Sequence, residues 1–204
     1  MARRLTSRTI LFFLLAGTAA FGSGLKARSI IPADSTPRSL AVSDFNRDGK
    51  LDLAVVSSLS DATVSVRLGN GNGSFGSQVR YVVGNQPYAA AAGDVNRDGN
   101  PDLVVTNSLD DSVSVLLGNG DGSFQSALTF ATGNDPQGIA LGDFNGDGIA
   151  DIATASDPVE VLVGNGDGSF EPASPVTSLG AYSVAVADLN RDGNIDLLVG
   201  IALG

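Results

Sequence analysis

The sequence predicts an all-β protein in which one antiparallel sheet is repeated along the chain. An Asp-rich segment of nine residues recurs at spacings of 50, 49 and 45 residues, starting at residues 44, 94, 143 and 188. Short apolar, β-rich segments flank each copy, and three copies are followed by Gly-Asn-Gly-x-Gly-Ser-Phe. No segment shows the apolar period of a long amphipathic helix. Everything else in the sequence is therefore interpreted relative to this repeat.

Each repeat presents its elements in the same order. First strands are predicted at 39–43, 89–93, 138–142 and 183–187, and second strands at 53–56, 103–106, 152–155 and 197–201. Third strands are predicted at 63–68, 112–117 and 159–163, and fourth strands at 78–83 and 127–131. The glycine-rich turn joins the third strand to the fourth, because Gly and Asn tolerate positive φ angles. Four antiparallel strands in about 45 to 50 residues are typical of a β-propeller blade.

The alignment of the repeats also predicts how many blades are present. Residues 27–31 fall opposite the outer strand that ends the first repeat. The chain is then expected to open with an outer strand, to contain three full blades and to end after two strands of a fourth. We expect a partial or truncated propeller of about three and a half blades. Further C-terminal sequence or another chain would complete it, because an exposed strand edge invites pairing.

The Asp-rich segments predict metal sites. Each reads Asp-x-Asn-x-Asp-Gly-x-x-Asp, with oxygen donors at alternate positions and a glycine that permits the sharp turn, as calcium requires. Side chains at positions one, three, five and nine and the carbonyl at position seven are the expected ligands. They are Asp44, Asn46, Asp48, Lys50 and Asp52; Asp94, Asn96, Asp98, Asn100 and Asp102; Asp143, Asn145, Asp147, Ile149 and Asp151; and Asp188, Asn190, Asp192, Asn194 and Asp196. About four Ca²⁺ ions would offset the repulsion among these carboxylates, a structural rather than catalytic role.

Other interpretations of these motifs fit less well. An EF-hand needs flanking helices and Glu at position twelve, where this chain has Val or Thr, and dockerin-type loops fail for the same reason. Magnesium is disfavoured because it keeps several waters and needs stricter octahedral geometry. The glycine-rich turns lack the lysine and following helix of a phosphate loop. The short metal motif at Asp110, Ser112 and Ser114 lies where a turn between strands is predicted.

Composition excludes several classes of function. The chain has 22 acidic and 12 basic residues, for a net charge of −10, and the four Asp-rich segments hold 12 of the acidic residues. No basic stripe is present, so a nucleic-acid partner is not expected. The chain has no Cys and no His, which excludes disulfides, thiol or imidazole catalysis and the usual zinc sites. The remaining carboxylates, including Glu160 and Glu171, follow no pattern that suggests a glycosidase pair. We therefore expect no enzyme activity.

The N-terminus predicts export. Residues 1–26 combine a basic start, an apolar run at 10–20 and small residues, as in a secretory signal peptide, with an uncleaved anchor as the alternative. Residues 27–204 would form the repeat domain. We expect a secreted or cell-surface protein with no membrane span after cleavage.

These features resemble the FG-GAP/VCBS repeat family, which occurs in integrin α-subunit heads and in many exported bacterial proteins. The resemblance covers residues 27–204, and the Asp-rich segments match residue by residue. The Phe-Gly pair remains only at Phe75-Gly76, and the Gly-Ala-Pro segment is replaced. The resemblance implies calcium-binding propeller repeats, whereas integrin-like partner binding does not carry over.

The resemblance also implies a ligand surface on the face opposite the Asp-rich segments. We call this the opposite face; it comprises the starts of the first strands and the turns between second and third strands. Its candidate contacts are Arg38, Tyr88, Gln137 and Tyr182, with Asp61, Asp110, Asp111 and Asp157 in the turns. Tyrosines beside carboxylates and amides suit a protein or glycan ligand. The first hypothesis is an adhesion or protein-interaction module. The alternatives are a lectin-like carbohydrate-binding module, or the non-catalytic part of a polysaccharide-degrading enzyme.

Overall fold

A computed structural model describes residues 36–58 and 62–201, and these residues form fourteen β-strands. No helix occurs within these two ranges, so none there could span a membrane. The prediction of an all-β fold is confirmed. The predicted signal peptide at 1–26, the predicted strand at 27–31 and Asp61 lie outside the described residues.

The strands form four open antiparallel sheets, in each of which the strand order follows the sequence. Sheet 1 contains β1 (Pro37–Ser43), β2 (Asp52–Ser57), β3 (Thr63–Arg67) and β4 (Val79–Val82). Sheet 2 contains β5 (Pro87–Gly93), β6 (Asp102–Asn107), β7 (Ser112–Leu116) and β8 (Leu128–Ala131). Sheet 3 contains β9 (Asn134–Gly142), β10 (Asp151–Asp157), β11 (Glu160–Leu162) and β12 (Ser174–Pro175). Sheet 4 contains β13 (Ser183–Ala187) and β14 (Asp196–Gly200).

The first strands of sheets 1 to 3 begin earlier than the sequence predicts. β1 and β5 start at Pro37 and Pro87, two residues before the predicted starts, and β9 starts at Asn134. Proline is tolerated at the first residue of a strand, where no ladder hydrogen bond from its nitrogen is needed. The pairing register shifts next to each of these starts. A register irregularity therefore marks the opposite-face end of each of these sheets.

The second strands of sheets 1 to 3 are almost wholly buried, whereas β14, the second strand of sheet 4, is partly exposed. All residues of β2 and β6 are buried, as are all of β10 except Asp157. β2 and β6 contain the uninterrupted apolar runs 53–56 and 103–105, which are typical of strands covered on both faces. Successive sheets cover them by packing side by side, with β1 against β5, β5 against β9 and β9 against β13.

The core is divided into clusters that each join two neighbouring sheets. Phe45 at the end of β1 packs edge-to-face against Phe124, whose ring also contacts Tyr81, with ring centroids 5.2 Å apart in both pairs. Between sheets 2 and 3, Phe130 and Phe170 repeat the contact of Tyr81 with Phe124, with ring centroids 5.3 Å apart. The phenylalanine that ends each of these glycine-rich turns therefore fills the space between its own sheet and the preceding one. Such aromatic pairs stabilise the packing beyond their buried area.

Candidate calcium loops and the opposite face

The four Asp-rich segments form loops of one conformation between the first and second strands of each sheet. We number them loop 1 (44–52), loop 2 (94–102), loop 3 (143–151) and loop 4 (188–196). In loop 1 the N–H of Gly49 donates to Asp44 Oδ2 at 2.8 Å, and Gly49 has a φ of 83°. The same bond from the sixth residue to the first measures 2.8 to 3.0 Å in the other loops. Each loop is thus closed by its first aspartate around a glycine in the left-handed region.

The side chains at positions three and five also bond within the loop. Asn46 Oδ1 accepts from the N–H of Asp48 at 3.2 Å, and Asp48 Oδ1 accepts from the N–H of Lys50 at 2.9 Å. Lys50 Nζ lies 2.8 Å from Asp48 Oδ2, an ion pair on the solvent-exposed side of the loop. The hydrogen bond from the Lys50 side chain is the main cause that lowers the pKa of Asp48. The ion pair with Lys50 therefore favours the carboxylate form of Asp48, which is the form that binds a cation.

The aspartate at position nine has a role that the sequence interpretation missed. Asp102 is fully buried, and its Oδ2 accepts from the N–H of Val95 while its Oδ1 accepts from the N–H of Gly118, both at 2.8 Å. Asp52 and Asp151 are equally buried and make the same pair of bonds in loops 1 and 3. The second donor is always the first glycine of the glycine-rich turn. Position nine therefore connects each of these loops to the turn of the same sheet.

Burial raises the pKa of Asp52 and Asp102, against the opposite effect of the backbone N–H groups that they accept. In loop 4, Asp196 Oδ2 accepts from the N–H of Leu189 at 2.9 Å. The signal that could have revealed this role was present in the sequence, because each of the three glycine-rich turns follows a loop that ends in aspartate.

The donor set of the loops fits calcium by its chemistry. All the expected ligands are oxygens, contributed by carboxylates, an asparagine amide and a backbone carbonyl, which are the groups that hard cations prefer. Within 36–58 and 62–201, however, no group of three or more acidic side chains is gathered closely enough to hold a metal ion. The loop oxygens are instead engaged by the loop's own N–H groups, as in Gly49 to Asp44. Calcium binding stays a prediction.

Loops and turns of neighbouring sheets are also bonded to each other. The N–H of Gly122, in the glycine-rich turn of sheet 2, donates to the carbonyl of Phe45 in loop 1 at 3.1 Å. Arg47 Nη1 donates to Asn100 Oδ1 in loop 2 at 3.2 Å. Gly122 has a φ of 86°, in the left-handed region that favours glycine. The loop end of the molecule is therefore a continuous layer across sheets 1 and 2.

On the opposite face, the structure brings Arg38 and Tyr88 together. The Arg38 Cζ lies 4.9 Å from the centroid of the Tyr88 ring, and Nη1 lies 3.5 Å from the tyrosine hydroxyl. The Nε of Arg38 donates to Ser58 Oγ at 3.1 Å. Equivalent positions on the first strands of neighbouring sheets are thus in direct contact.

Two carboxylates in the turns of this face accept hydrogen bonds from backbone N–H groups. Asp110 Oδ2 accepts from the N–H of Asn85 at 2.7 Å, and Asp111 Oδ1 accepts from the N–H of Asp135 at 2.8 Å. The hydrogen bond from the Asn85 backbone is the main cause that lowers the pKa of Asp110. These carboxylates fix the connections between sheets, a use that residue type alone did not reveal.

The short metal motif that begins at Asp110 is occupied by structural bonds. Ser112 and Ser114 are buried in β7, and their hydroxyls accept from Asn107 Nδ2 at 3.1 and 2.9 Å. Asp110 bonds with Asn85 instead of joining them. The interpretation of this motif as a turn followed by a strand agrees with this geometry.

The remaining candidates of the opposite face lie at a cleft between sheets 3 and 4. Its volume is about 290 Å³. The lining residues are Asn134, Asp135, Gln137, Ser156, Asp157, Gly180, Ala181 and Tyr182. Gln137 Nε2 donates to Asp135 Oδ2 at 2.7 Å, and the Tyr182 side chain is largely exposed. The structure therefore places Gln137, Asp157 and Tyr182 around one cavity.

The repeats match a known family along most of the chain. The FG-GAP-like repeat family matches residues 44–105, 94–154 and 152–199. The chain belongs to this family. The resemblance predicted from the sequence is confirmed, and the first two FG-GAP-like matches begin at the first aspartates of loops 1 and 2.

Comparison with whole proteins gives partial likenesses. No match was found among curated proteins. The Photorhabdus luminescens Tc holotoxin pore is 16% identical with a TM-score of 0.48, over 78% of this chain and 8% of that one. The V. cholerae biofilm matrix protein Bap1 is 26% identical with a TM-score of 0.49, over 80% of this chain and 28% of that one. The FG-GAP chain thus spans less than a third of the length of either protein.

Proposed function

We propose that this FG-GAP chain is an exported β-propeller segment that acts as an adhesion or interaction module. Calcium in the Asp-rich loops has a structural role, and the ligand contacts the opposite face. Four-stranded meanders that pack side by side through their first strands are the arrangement expected of propeller blades. Export agrees with the basic and apolar N-terminus and with loops that fill only where calcium is plentiful.

The observation that carries this proposal is the difference between the two ends of the sheets. The loop end repeats the same nine-residue pattern four times, whereas the opposite face has Arg38, Tyr88, Gln137 and Tyr182 at equivalent positions. The contact between Arg38 and Tyr88 supports a continuous surface there. Binding residues are commonly carried by variable loops on a regular scaffold. A binding module needs a regular scaffold and a surface whose residues differ from repeat to repeat. The loop end would provide the first and the opposite face the second.

Calcium would act on more than one sheet at a time. An ion in loop 1 would compensate the charge of three aspartates and fix the hairpin between β1 and β2. Loop 1 is bonded to the glycine-rich turn of sheet 1 through Asp52, and to that of sheet 2 through Phe45. Loss of calcium is therefore expected to weaken the packing between sheets as well as the loop itself.

The proposal can be tested by calorimetric titration of the secreted chain with calcium, together with thermal melts in calcium and in chelator. We expect uptake of about four ions, one per loop, and a higher melting temperature in calcium than in chelator. Magnesium is the matched control, and at equal concentration it is expected to give a smaller rise. Absence of uptake together with identical melts would refute the calcium role.

The binding role needs its own experiment. The calcium-loaded chain is applied to arrays of immobilised extracellular proteins and glycans. Binding that Arg38→Ala or Tyr182→Ala reduces, and that Gln125→Ala in the glycine-rich turn region leaves unchanged, would support a ligand on the opposite face. Binding that is insensitive to every opposite-face substitution would refute it.

A further inference from the structure

We propose that the cleft between sheets 3 and 4 binds one uncharged sugar residue of a glycan. This inference rests on the proposed function, because it names the ligand class for part of the opposite face. The cleft lies where β9 begins, where β10 ends and just before β13, and therefore at the ends of these strands remote from the loops. It combines free hydrogen-bonding groups, an exposed aromatic ring and a small volume.

The size of the cleft favours a small ligand. Its volume of about 290 Å³ lies at the lower limit of small-molecule pockets, which run from roughly 300 to 1,000 Å³. A single sugar ring suits such a space better than a folded partner surface or a long peptide segment. The rest of a glycan would extend into solvent from the open side.

The free polar groups of the cleft match vicinal hydroxyls. Among the described residues, the carboxylate of Asp157 and the side-chain amide of Asn134 have no hydrogen-bond partner, whereas Asp110, Asp111 and Asp135 each have one. Asn134 and Asp157 are paired across β9 and β10. A carboxylate only accepts, and an amide both donates and accepts. Adjacent sugar hydroxyls can satisfy the two groups together, since each hydroxyl does both.

The backbone fixes the position of Asp157. Gly180 lies directly against it, and a Cβ on Gly180 would be 3.0 Å from the Cβ of Asp157. The N–H of Ala181 donates to the carbonyl of Ser156 at 3.1 Å. Sheet 4 is thereby held against the end of β10, so the backbone of Asp157 and the residues before β13 keep a fixed separation.

Tyr182 supplies the aromatic surface. Its side chain is 61% exposed, and its hydroxyl has no hydrogen-bond partner among the described residues. Its backbone is fixed, because the N–H of Tyr182 donates to the carbonyl of Gly200 at 3.0 Å. Tyrosine presents an apolar ring together with a polar hydroxyl, which suits the C–H and O–H groups of a sugar. Tyr88, by contrast, has its ring covered by the Arg38 guanidinium.

The charge of the cleft selects among sugars. Two of the lining residues are carboxylates, Asp135 and Asp157, and no Lys or Arg lines the cleft. A uronic or sialic acid would be repelled, whereas a neutral sugar would not. A lysine ammonium would pair with Asp157 and could lie over the Tyr182 ring, but it only donates hydrogen bonds, so it would leave the N–H groups of the Asn134 amide without an acceptor. A neutral sugar therefore accounts for more of the lining than a cationic peptide does.

The test uses the full calcium-loaded chain and saturation-transfer difference NMR. The probes are D-glucose, D-galactose, D-mannose, L-fucose and N-acetyl-D-glucosamine, with D-glucuronate as the anionic comparison and N-acetyl-lysine methylamide as the cationic one. We expect transfer to at least one neutral sugar and none to glucuronate. In titrations with that sugar, Tyr182→Ala and the isosteric Asp157→Asn should each weaken binding about tenfold or more. Gln125→Ala, in the glycine-rich turn region, should leave it unchanged.

The experiment distinguishes a failure of the cleft proposal from a failure of the proposed function. Each variant is checked by its melting temperature in calcium, and Asp157→Asn retains the shape of the side chain if Tyr182→Ala proves unstable. Normal calcium uptake without transfer to any neutral sugar would overturn the cleft proposal alone. Transfer unaffected by both cleft variants would overturn it too, as would binding of the lysine probe in place of sugars. Sugar binding without calcium uptake would support the cleft and refute the calcium role.

Discussion

The buried carboxylate of Asp102 accepts a hydrogen bond from the N–H of Gly118 at 2.8 Å, between the adjacent ends of β6 and β7. The bond joins the end of loop 2 to the start of the glycine-rich turn, and Asp52 with Gly69 and Asp151 with Gly164 repeat it. The aspartate at position nine thus has two possible roles. An aspartate at position nine can contribute to a cation site, and it also satisfies two backbone donors that are otherwise buried.

Asp102→Ala should destabilise the protein whether or not calcium is present. The substitution leaves the N–H groups of Val95 and Gly118 without their acceptor, at a cost of about 1 to 3 kcal/mol for each buried donor. We expect the free energy of unfolding, measured by urea denaturation, to fall by about 3 kcal/mol in chelator. Asp98→Ala is the control, because Asp98 is exposed and lies in the same loop. If the loss of unfolding free energy in Asp102→Ala disappears in chelator, Asp102 stabilises the protein only as a metal ligand.

Asp48→Ala should have the opposite dependence on calcium. Asp48 makes its bonds within loop 1 and is exposed, so its removal leaves no buried group unpaired. Loss of one site removes a stabilisation of about 2.7 kcal/mol when calcium stands at a hundredfold excess over Kd. Melting temperatures in calcium and in chelator measure this difference, and calorimetry should count one ion fewer. If the melt in calcium equals that of the wild type, Asp48 has no part in a stabilising site.

Phe124→Ala tests the packing between sheets 1 and 2. The ring of Phe124 contacts both Phe45 and Tyr81 and is buried, and truncation of such a residue costs about 3 to 5 kcal/mol. Phe75 occupies the same position of the turn in sheet 1 but is only half-buried, so Phe75→Ala is the matched control. Urea denaturation should show a clearly larger loss for Phe124→Ala. Equal losses would mean that the ring contributes to its own turn and not to the contact between sheets.

The sequence was sufficient for the repeated elements and insufficient for the contacts between them. The spacing of the Asp-rich segments and the apolar runs around residues 53–56 and 103–106 predicted the strands, because local pattern and burial agree there. The starts of β1 and β5 were predicted two residues too late, because each strand begins at a proline, which adds no apolar or β-branched signal to the pattern. The cleft between Asp157 and Tyr182 could not be predicted, since it depends on how sheet 4 lies against β10. Position nine was predicted only as a ligand, because residue type alone does not reveal that its carboxylate also accepts backbone N–H groups.

Asp110 provides a test of the opposite face by titration. Its carboxylate accepts from the backbone and side chain of Asn85, and these bonds lower its pKa below the ordinary value of about 3.9. A lowered pKa in the folded state means that the bond stabilises the fold fully above the unfolded pKa. This stabilisation is lost as the pH falls through the lower pKa of the folded protein. NMR titration of the Asp110 carboxyl carbon should therefore give a midpoint below about 3.9.

Asn85→Ala separates the two donors to Asp110. The backbone N–H of residue 85 is the larger cause of the shift and survives the substitution, whereas the side-chain amide is removed. The pKa of Asp110 should then rise part of the way toward its ordinary value and remain below it. A return to the full ordinary value would assign the shift to the amide. An ordinary value already in the wild type would mean that Asp110 does not hold the connection between sheets 1 and 2, and its carboxylate would be available to a ligand after all.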